Sequence, residues 1–142
     1  MGKEELENAA AREQELRERV RVFGRIQEAL VRLRDVGSVD ELIARAPVEV
    51  ARACDMDRVV VYRVDGGMLV AEAFYIGGDE AGAAELLAFS REHPLSLREQ
   101  VLESRMLRER RPIVVRDAQH HPLAYKPFVQ RYGTHAYVAA PI

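Results

Sequence analysis

The sequence predicts an α+β fold, an antiparallel sheet flanked by helices with a long amphipathic helix ahead of it. Three stretches carry that expectation. Asp57–Val64 and Met68–Ile76 are β-rich runs joined by Asp65-Gly66-Gly67, and glycine supplies the positive φ that a tight hairpin needs. Lys3–Arg34 has no proline and one glycine, Gly24, in sequence dense in Glu, Arg, Ala, Leu and Gln, which favours helix. Downstream of the hairpin, short helical patterns alternate with short apolar runs up to Ile142.

The N-terminal helix comes first. Ala9, Leu16, Phe23 and Leu30 recur every seven residues, while Leu6, Glu13, Val20, Gln27 and Arg34 fill the companion heptad position only partly with apolar groups. At 1.5 Å per residue the helix reaches roughly 45 Å, more than one small sheet covers. Leu16, Val20, Phe23 and Leu30 are therefore the expected contacts of a homodimer helix pair. The alternative is a solvated N-terminal half with only Phe23–Leu33 packed on the domain. Ile26 and Leu33 lie off the stripe, free to face the domain while Phe23 and Leu30 face a partner.

Gly37 is expected to end that helix, and Ser38-Val39-Asp40-Glu41 reads as a capping box that opens the next. Leu42, Ile43, Ala46, Val50, Ala51 and Ala53 give the second helix an apolar face, and Pro47 inside it predicts a kink or break. Cys54, at its apolar end, reads as a small buried hydrophobe. Val59–Val64 follows with almost no polar residue, which predicts a strand covered on both faces and central in its sheet. Its second face is expected to meet a small-molecule pocket or filled core.

Gly77–Gly82 is a loop, Ala83–Glu92 a short helix ended by His93-Pro94, and Leu95-Ser96-Leu97 a short strand. Ser96-Leu97-Arg98-Glu99 reads as a second capping box for a helix through Glu109, stopped by Arg110-Arg111-Pro112. Ile113–Val115 is expected to be a buried strand, Asp117–Leu123 a polar loop, Pro127 the first turn of a helix ending at Gly133, and His135–Ile142 a last strand.

With 142 residues the chain suits one domain plus an appended element. The formal net charge of -2 argues against direct nucleic-acid contact by this segment. No apolar run is long enough to span a membrane, the acidic N-terminus is no signal peptide, and one cysteine allows no internal disulfide, so a cytoplasmic protein is the expectation.

The ordered set Ala51–Val59, with its Asp57-Arg58 junction before the first strand, then Arg110–Ala118 with Arg-Pro-strand-Asp, then Tyr137–Ile142 resembles the GAF domain, a small-molecule sensor module. The resemblance covers about 100 residues and implies a GAF-like (PAS-like) fold over residues 37–142, after an N-terminal helix over residues 1–36. The Arg- and Ala-rich character looks most like sensor domains of actinobacterial helix-turn-helix transcription regulators. Family members usually continue past the terminal Pro-aliphatic pair into another strand and helix, so this chain is expected to lack those elements.

Several chemistries of the family find no matching residues. A covalent bilin needs a cysteine in the second half of the domain, and Cys54 is the only cysteine. Methionine sulfoxide reduction by cysteine exchange needs a second thiol. The Asn-Lys-Phe signature of the cyclic-nucleotide branch is missing, since Asn8 is the only asparagine. His120, His121 and His135 fall in the region where some relatives hold haem, but out of register, and no metal set is completed. No cofactor is therefore required, and a haem- or metal-binding sensor ranks behind the other readings. No catalytic signature such as G-x-S-x-G or H-E-x-x-H occurs, so no enzyme is expected. Asp117 reads as a turn cap, and Arg105, Arg108, Arg110 and Arg111 as cations at a helix C-terminus rather than an anion site.

What remains is a regulatory sensor whose unknown ligand sits between the sheet, the excursion 77–109 and the loop 117–133. Its expected lining is Tyr62, Tyr75, Phe89, His93, His121, Tyr125, Phe128 and Tyr137, aromatic bodies with polar tips in most cases. The competing expectation is a ligand-free dimerisation scaffold in which Phe89, Phe128 and Tyr137 fill that space themselves.

Overall fold

A computed structural model describes residues 2–142. Its elements are α1 (Lys3–Arg34), α2 (Val39–Cys54), β1 (Arg58–Asp65), β2 (Met68–Ile76), α3 (Glu80–Glu92), β3 (Leu95–Ser96), α4 (Leu102–Glu109), β4 (Ile113–Val115), α5 (Lys126–Tyr132) and β5 (Tyr137–Ala139). The fold is α+β, with a three-stranded sheet in the order β1-β2-β3 and a two-stranded antiparallel sheet of β4 and β5. The chain divides into two compact units: residues up to Val61 with Glu72–Leu87, and Tyr62–Ala71 with Ala88–Ile142.

In the first unit α1 packs along α2. Ala29 of α1 and Pro47, Ala51 and Ala53 of α2 are buried, and Ile26 and Leu33 are half-buried, so small residues let the helices approach. Arg32 Nε donates to the buried Glu49 carboxylate at 2.6 Å, which partners a charge that burial would otherwise penalise. The residues of α1 before Val22 are exposed, and so are Phe23 and Leu30 at 66% and 60%. Ile26 and Leu33 are thus less exposed than Phe23 and Leu30 on the same helix.

Four local expectations are corrected in this unit. α1 stops at Asp35, which has φ −88°, two residues before Gly37. Gly37 instead donates its N–H to Glu41 Oε2 at 3.0 Å, while Ser38 Oγ accepts from Glu41 N at 3.1 Å, so the glycine belongs to the cap of α2. α2 runs unbroken through Pro47, whose fully buried ring compensates for the one intrahelical bond it removes. Cys54 is exposed rather than buried, because it lies four residues beyond exposed Val50, away from the face that buries Ala51. α3 begins at Glu80, earlier than Ala83, since Asp79 Oδ1 accepts the Gly82 N–H at 2.8 Å and caps the first turn.

The hairpin turns on Gly66 and Gly67, with φ of 55° and 81°. Two consecutive positive φ values are the requirement of a type I′ turn, and glycine meets it without steric cost. β1 is an edge of its sheet and β2 the middle strand, the reverse of the expectation for β1. A continuous apolar run reports whether the two faces are covered, not whether both edges are hydrogen-bonded. Coverage also fades along β1: Arg58–Tyr62 are half-buried, whereas Val64 is 54% exposed.

In the second unit β3 pairs antiparallel with β2, Leu95 opposite Leu69 and Ser96 opposite Met68. Leu97 N donates to Gly67 O at 2.8 Å, which ties the strand to the turn. The capping box expected at Ser96 is not formed. Ser96 is held in β3, its hydroxyl accepts from Arg98 N, and α4 begins only at Leu102, where the Leu102 N–H goes to Leu123 O. The core joins Leu102, Val115, Ala118, Ala124 and Val129, with Ile113 and Tyr137 packed on it. β4 is covered on one face only, since Val115 is buried while Val114 is 67% exposed. α5 carries Pro127 in its first turn and ends on Gly133 at φ 59°. The last strand is only three residues, Tyr137–Ala139, opposite Val115–Ile113.

α4 ends on Arg110 in the left-handed region, φ 53°, where a side chain is strained. Arg110→Gly should stabilise the protein by roughly 0.5–1 kcal/mol, because relief at the left-handed position exceeds the added chain entropy. A urea unfolding midpoint that fell instead would show that the Arg110 side chain contributes more than its backbone costs.

Candidate functional site

The second unit gathers most of the candidate residues into two connected groups. In the first, the rings of α3 and α5 pack on one another. Phe128 and Tyr132, one helical turn apart, are stacked with centroids 5.5 Å apart. Phe89 meets both edge-on at 6.3 Å, and Tyr125 meets Phe128 edge-on at 4.9 Å. His93 stacks on Phe89 at 4.4 Å, but its ring is exposed and Nδ1 contacts its own helix carbonyl, Phe89 O, at 2.9 Å. The Arg131 guanidinium lies 5.3 Å from the Phe89 ring centroid.

The second group is polar. The Ser90 hydroxyl, almost fully buried, is hydrogen-bonded to the Tyr132 hydroxyl. Tyr62, on β1, shares these surroundings: Ser90, Tyr132, Glu103 and Tyr137 all act on the ionisation of its hydroxyl. Tyr137 donates its hydroxyl to Glu103 Oε1 at 3.2 Å. Glu103 Oε2 is buried and receives no hydrogen bond. Three tyrosine hydroxyls, a serine and a carboxylate thus meet inside one unit, with Tyr132 belonging to both groups.

The loop after β4 is stapled from within. Lys126 Nζ donates to Ala118 O and Gln119 O at 3.1 and 2.7 Å, and Gln119 Nε2 donates to Thr134 O at 2.8 Å. Asp117 accepts the His120 N–H and contacts His120 Nδ1 at 2.9 Å. It therefore works as the turn cap its position suggests, and the imidazole beside it lowers its pKa. Arg116, Asp117, His120 and His121 line a shallow, open groove on this loop. His121 Nδ1 accepts the Leu123 N–H at 3.1 Å. Among the described residues no three His, Cys, Asp or Glu side chains converge as a metal set, and no helix is long and apolar enough to cross a membrane.

The family model described as "GAF domain" matches residues 38–142. The chain belongs to the GAF domain family. A solved structure, the GAF domain from a phosphoenolpyruvate-protein phosphotransferase of Coxiella burnetii, is similar over 87% of this chain and 70% of that one, with a TM-score of 0.66 and 16% identity. At that identity the likeness establishes the fold alone. No curated protein sequence matches.

GAF domains are in general regulatory sensor modules, and the residues expected to line a ligand site distribute unevenly in this one. Tyr62, Phe89, Tyr125, Phe128 and Tyr137 are brought into the two groups described. His93 reaches only the outer side of the ring stack, and His121 faces the loop groove. Tyr75 belongs to the first unit. Ser90, Glu103 and Tyr132 were missed by the sequence reading. Tyr132 was accessible to it, because it follows Phe128 by four residues on one helix face. Glu103 was not: a glutamate in the first turn of a helix looks like an ordinary partner for the helix dipole.

Burial dominates the electrostatics of this GAF interior. It raises the pKa of Tyr62 strongly, with the neighbouring Tyr132 and Glu103 charges adding to the effect. It raises Tyr137 too, with Glu103 again contributing. Both hydroxyls stay protonated at neutral pH and can donate. The Glu103 carboxyl is also raised by burial, and hydrogen bonds from its own backbone N–H and from Tyr137 only partly oppose that.

The sign of the resulting pH dependence follows from linkage. The folded state holds the Glu103 proton more tightly than the unfolded chain, so raising the pH above the ordinary glutamate value of about 4.3 favours unfolding through this group. Glu103→Gln should flatten that decline, giving a smaller loss of urea midpoint between mildly acidic and neutral pH than the unsubstituted protein shows. An unaltered pH profile in the variant would mean that Glu103 is not held in this burial.

Proposed function

We propose that this GAF domain is a non-catalytic regulatory sensor in which the interior of the second unit takes a small ligand and α1 pairs two copies of the chain. The observation that carries the reading is the cluster of half-buried Tyr62, Glu103, Tyr132 and Tyr137 with buried Ser90, beside the rings of Phe89 and Phe128. A well-packed core gains nothing from collecting five polar groups, and an unfilled acceptor costs about 1–3 kcal/mol. A ligand site, by contrast, combines apolar walls with a few placed polar groups. The chain would act in the cytoplasm as the sensing part of a signalling or transcription-regulatory protein, making no nucleic-acid contact itself.

β1 passes from one unit to the other between Val61 and Tyr62. A ligand engaging Tyr62 would therefore act on a strand whose first half belongs with the helices. A second reading, the ligand-free dimerisation scaffold, is favoured by one observation, the direct packing of Phe89, Phe128 and Tyr132 on one another.

A thermal-shift screen against cell extract and pooled metabolites separates the two. At a ligand concentration one hundred times Kd, binding adds about 2.7 kcal/mol to stability, and the melting temperature should rise accordingly. No shift from any pool would leave the scaffold. The pairing of α1 has its own test. Light scattering should report a dimer that becomes monomeric, or at least weaker by tenfold or so, when Leu16, Val20, Phe23 and Leu30 are replaced by polar residues. A dimer of undiminished affinity would place the interface elsewhere.

A further inference from the structure

We propose that two copies of α1 pair in parallel and in register, with Phe23 of each copy seated against Gly24 of the other. This rests on the α1 pairing of the sensor reading and names its orientation and closest contact. The two lines of the seam differ in kind. Ala9, Leu16, Phe23 and Leu30 form one line, apolar throughout. Leu6, Glu13, Val20, Gln27 and Arg34 form the other, in which polar residues interrupt apolar ones. Leu16, Val20, Phe23 and Leu30 are all more than half exposed, so this face of α1 is left open by the rest of the chain.

The pattern matches itself in one arrangement. Parallel helices set each line against its own copy, whereas antiparallel helices set one line against the other. An antiparallel pair would therefore place Glu13 and Gln27 opposite residues of the apolar line in every heptad register. A parallel pair shifted by one heptad would place Glu13 opposite Leu6 or Val20 of the second copy. In the unshifted parallel pair Gln27 meets Gln27, and side-chain amides carry both donors and acceptors. Glu13 enters a hole made by Ala9, Arg12, Glu13 and Leu16 of the second copy, so Arg12 brings the charge that offsets the facing carboxylates. Within its own helix Glu13 already holds Arg17 at 2.5 Å. The occupant that suits this face is thus another copy of the same helix.

Gly24 marks the closest approach. Glycine weakens a helix interior. The backbone of Gly24 is helical, so no left-handed φ asks for it. A Cβ there would meet nothing within 4 Å, so no neighbour in the chain asks for it either. The seam does. In the parallel pair the hole that receives Phe23 is made by Val20, Phe23, Gly24 and Gln27 of the second copy. A phenyl ring is bulky for such a hole, and a glycine in its wall gives the ring room.

The test takes the full chain with Cys54→Ser, so that each added cysteine stands alone. Leu16→Cys and Leu30→Cys, in separate proteins, should each give a disulfide-linked dimer under oxidised glutathione, because parallel pairing in register brings each residue beside itself. Analytical ultracentrifugation should show Gly24→Leu weakening the dimer by roughly tenfold or more, while Ala11→Leu, on the opposite face of α1, changes it by less than about twofold. Both variants put a good helix former in place of a smaller residue, so a loss confined to Gly24 reports the contact rather than the folding of α1. The orientation is overturned if only one of the two cysteines links its copies, or neither does. The Gly24 contact is overturned if Gly24→Leu dimerises as tightly as the parent. Should polar replacement of Leu16, Val20, Phe23 and Leu30 leave the dimer intact, the pairing of α1 falls and this geometry with it. Should that replacement break the dimer while the cysteines fail to link, the pairing stands and the parallel arrangement falls.

Discussion

Two consecutive left-handed residues at Gly66 and Gly67 set the frame on which the second unit depends. The turn fixes how β1 faces β2, because a two-residue I′ connection allows only one register. Its backbone is used twice, since Gly67 also offers its carbonyl to Leu97 and so anchors β3 against β2. A slip of one residue would turn Tyr62 to the opposite face of the sheet and take it away from Ser90. The polar interior is therefore not a property of α3, α4 and α5 alone. It needs a strand held in one register by a turn that only glycine enters without strain.

That interior is expensive, and the way its costs are distributed is informative. The hydroxyls of Ser90 and Tyr132 satisfy one another, and a closed pair of neutral hydroxyls is tolerable at low dielectric. Glu103 is different, because a carboxylate cannot donate and one of its oxygens is left over. A leucine at that position would add to the face already formed by Leu102 and Met106, at no desolvation cost. The ring stack, by comparison, needs no external explanation: Phe89, Phe128 and Tyr132 bury one another as any core does. The unit thus holds a wall that is complete and an acceptor that is not. This contrast, more than the number of tyrosines, is what favours the proposed ligand site over a plain packed interior.

The sequence was most legible where local chemistry has no competitor. Gly66-Gly67 announced the hairpin, Ser38 and Glu41 the cap of α2, and Pro127 and Gly133 the two ends of α5. It misled where tertiary contacts decide. Ser96 and Glu99 have the spacing of a capping box, yet Ser96 is committed to β3 by Met68 across the sheet, and the helix starts six residues later. Pro47 should interrupt α2, yet burial of its ring outweighs one lost hydrogen bond. Cys54 escapes burial because one residue's step along α2 carries the side chain from the face of Ala53 to that of exposed Val50. For the site, the aromatic members were visible as residue types. Glu103 and Ser90 were not, because nothing in a one-dimensional pattern marks a glutamate whose neighbours all come from other elements.

The long helix poses a separate energetic question. Several of its charges pair within the helix: Glu13 with Arg17, Glu15 with Arg19 and Glu18 with Arg21, at 2.5, 2.6 and 3.0 Å. Such pairs contribute about 0.3–0.5 kcal/mol each, which favours helix but demands no partner. The unmet requirement is the stripe of Leu16, Val20, Phe23 and Leu30, all exposed. In the proposed dimer, burying four such side chains on each helix would yield about 1.5–3 kcal/mol apiece if burial were complete. Association itself costs about 4–15 kcal/mol, and Glu13 and Gln27 interrupt the seam. In such a dimer the interrupted seam would hold less tightly than an uninterrupted leucine seam, so small changes in how α1 is held would shift the pairing.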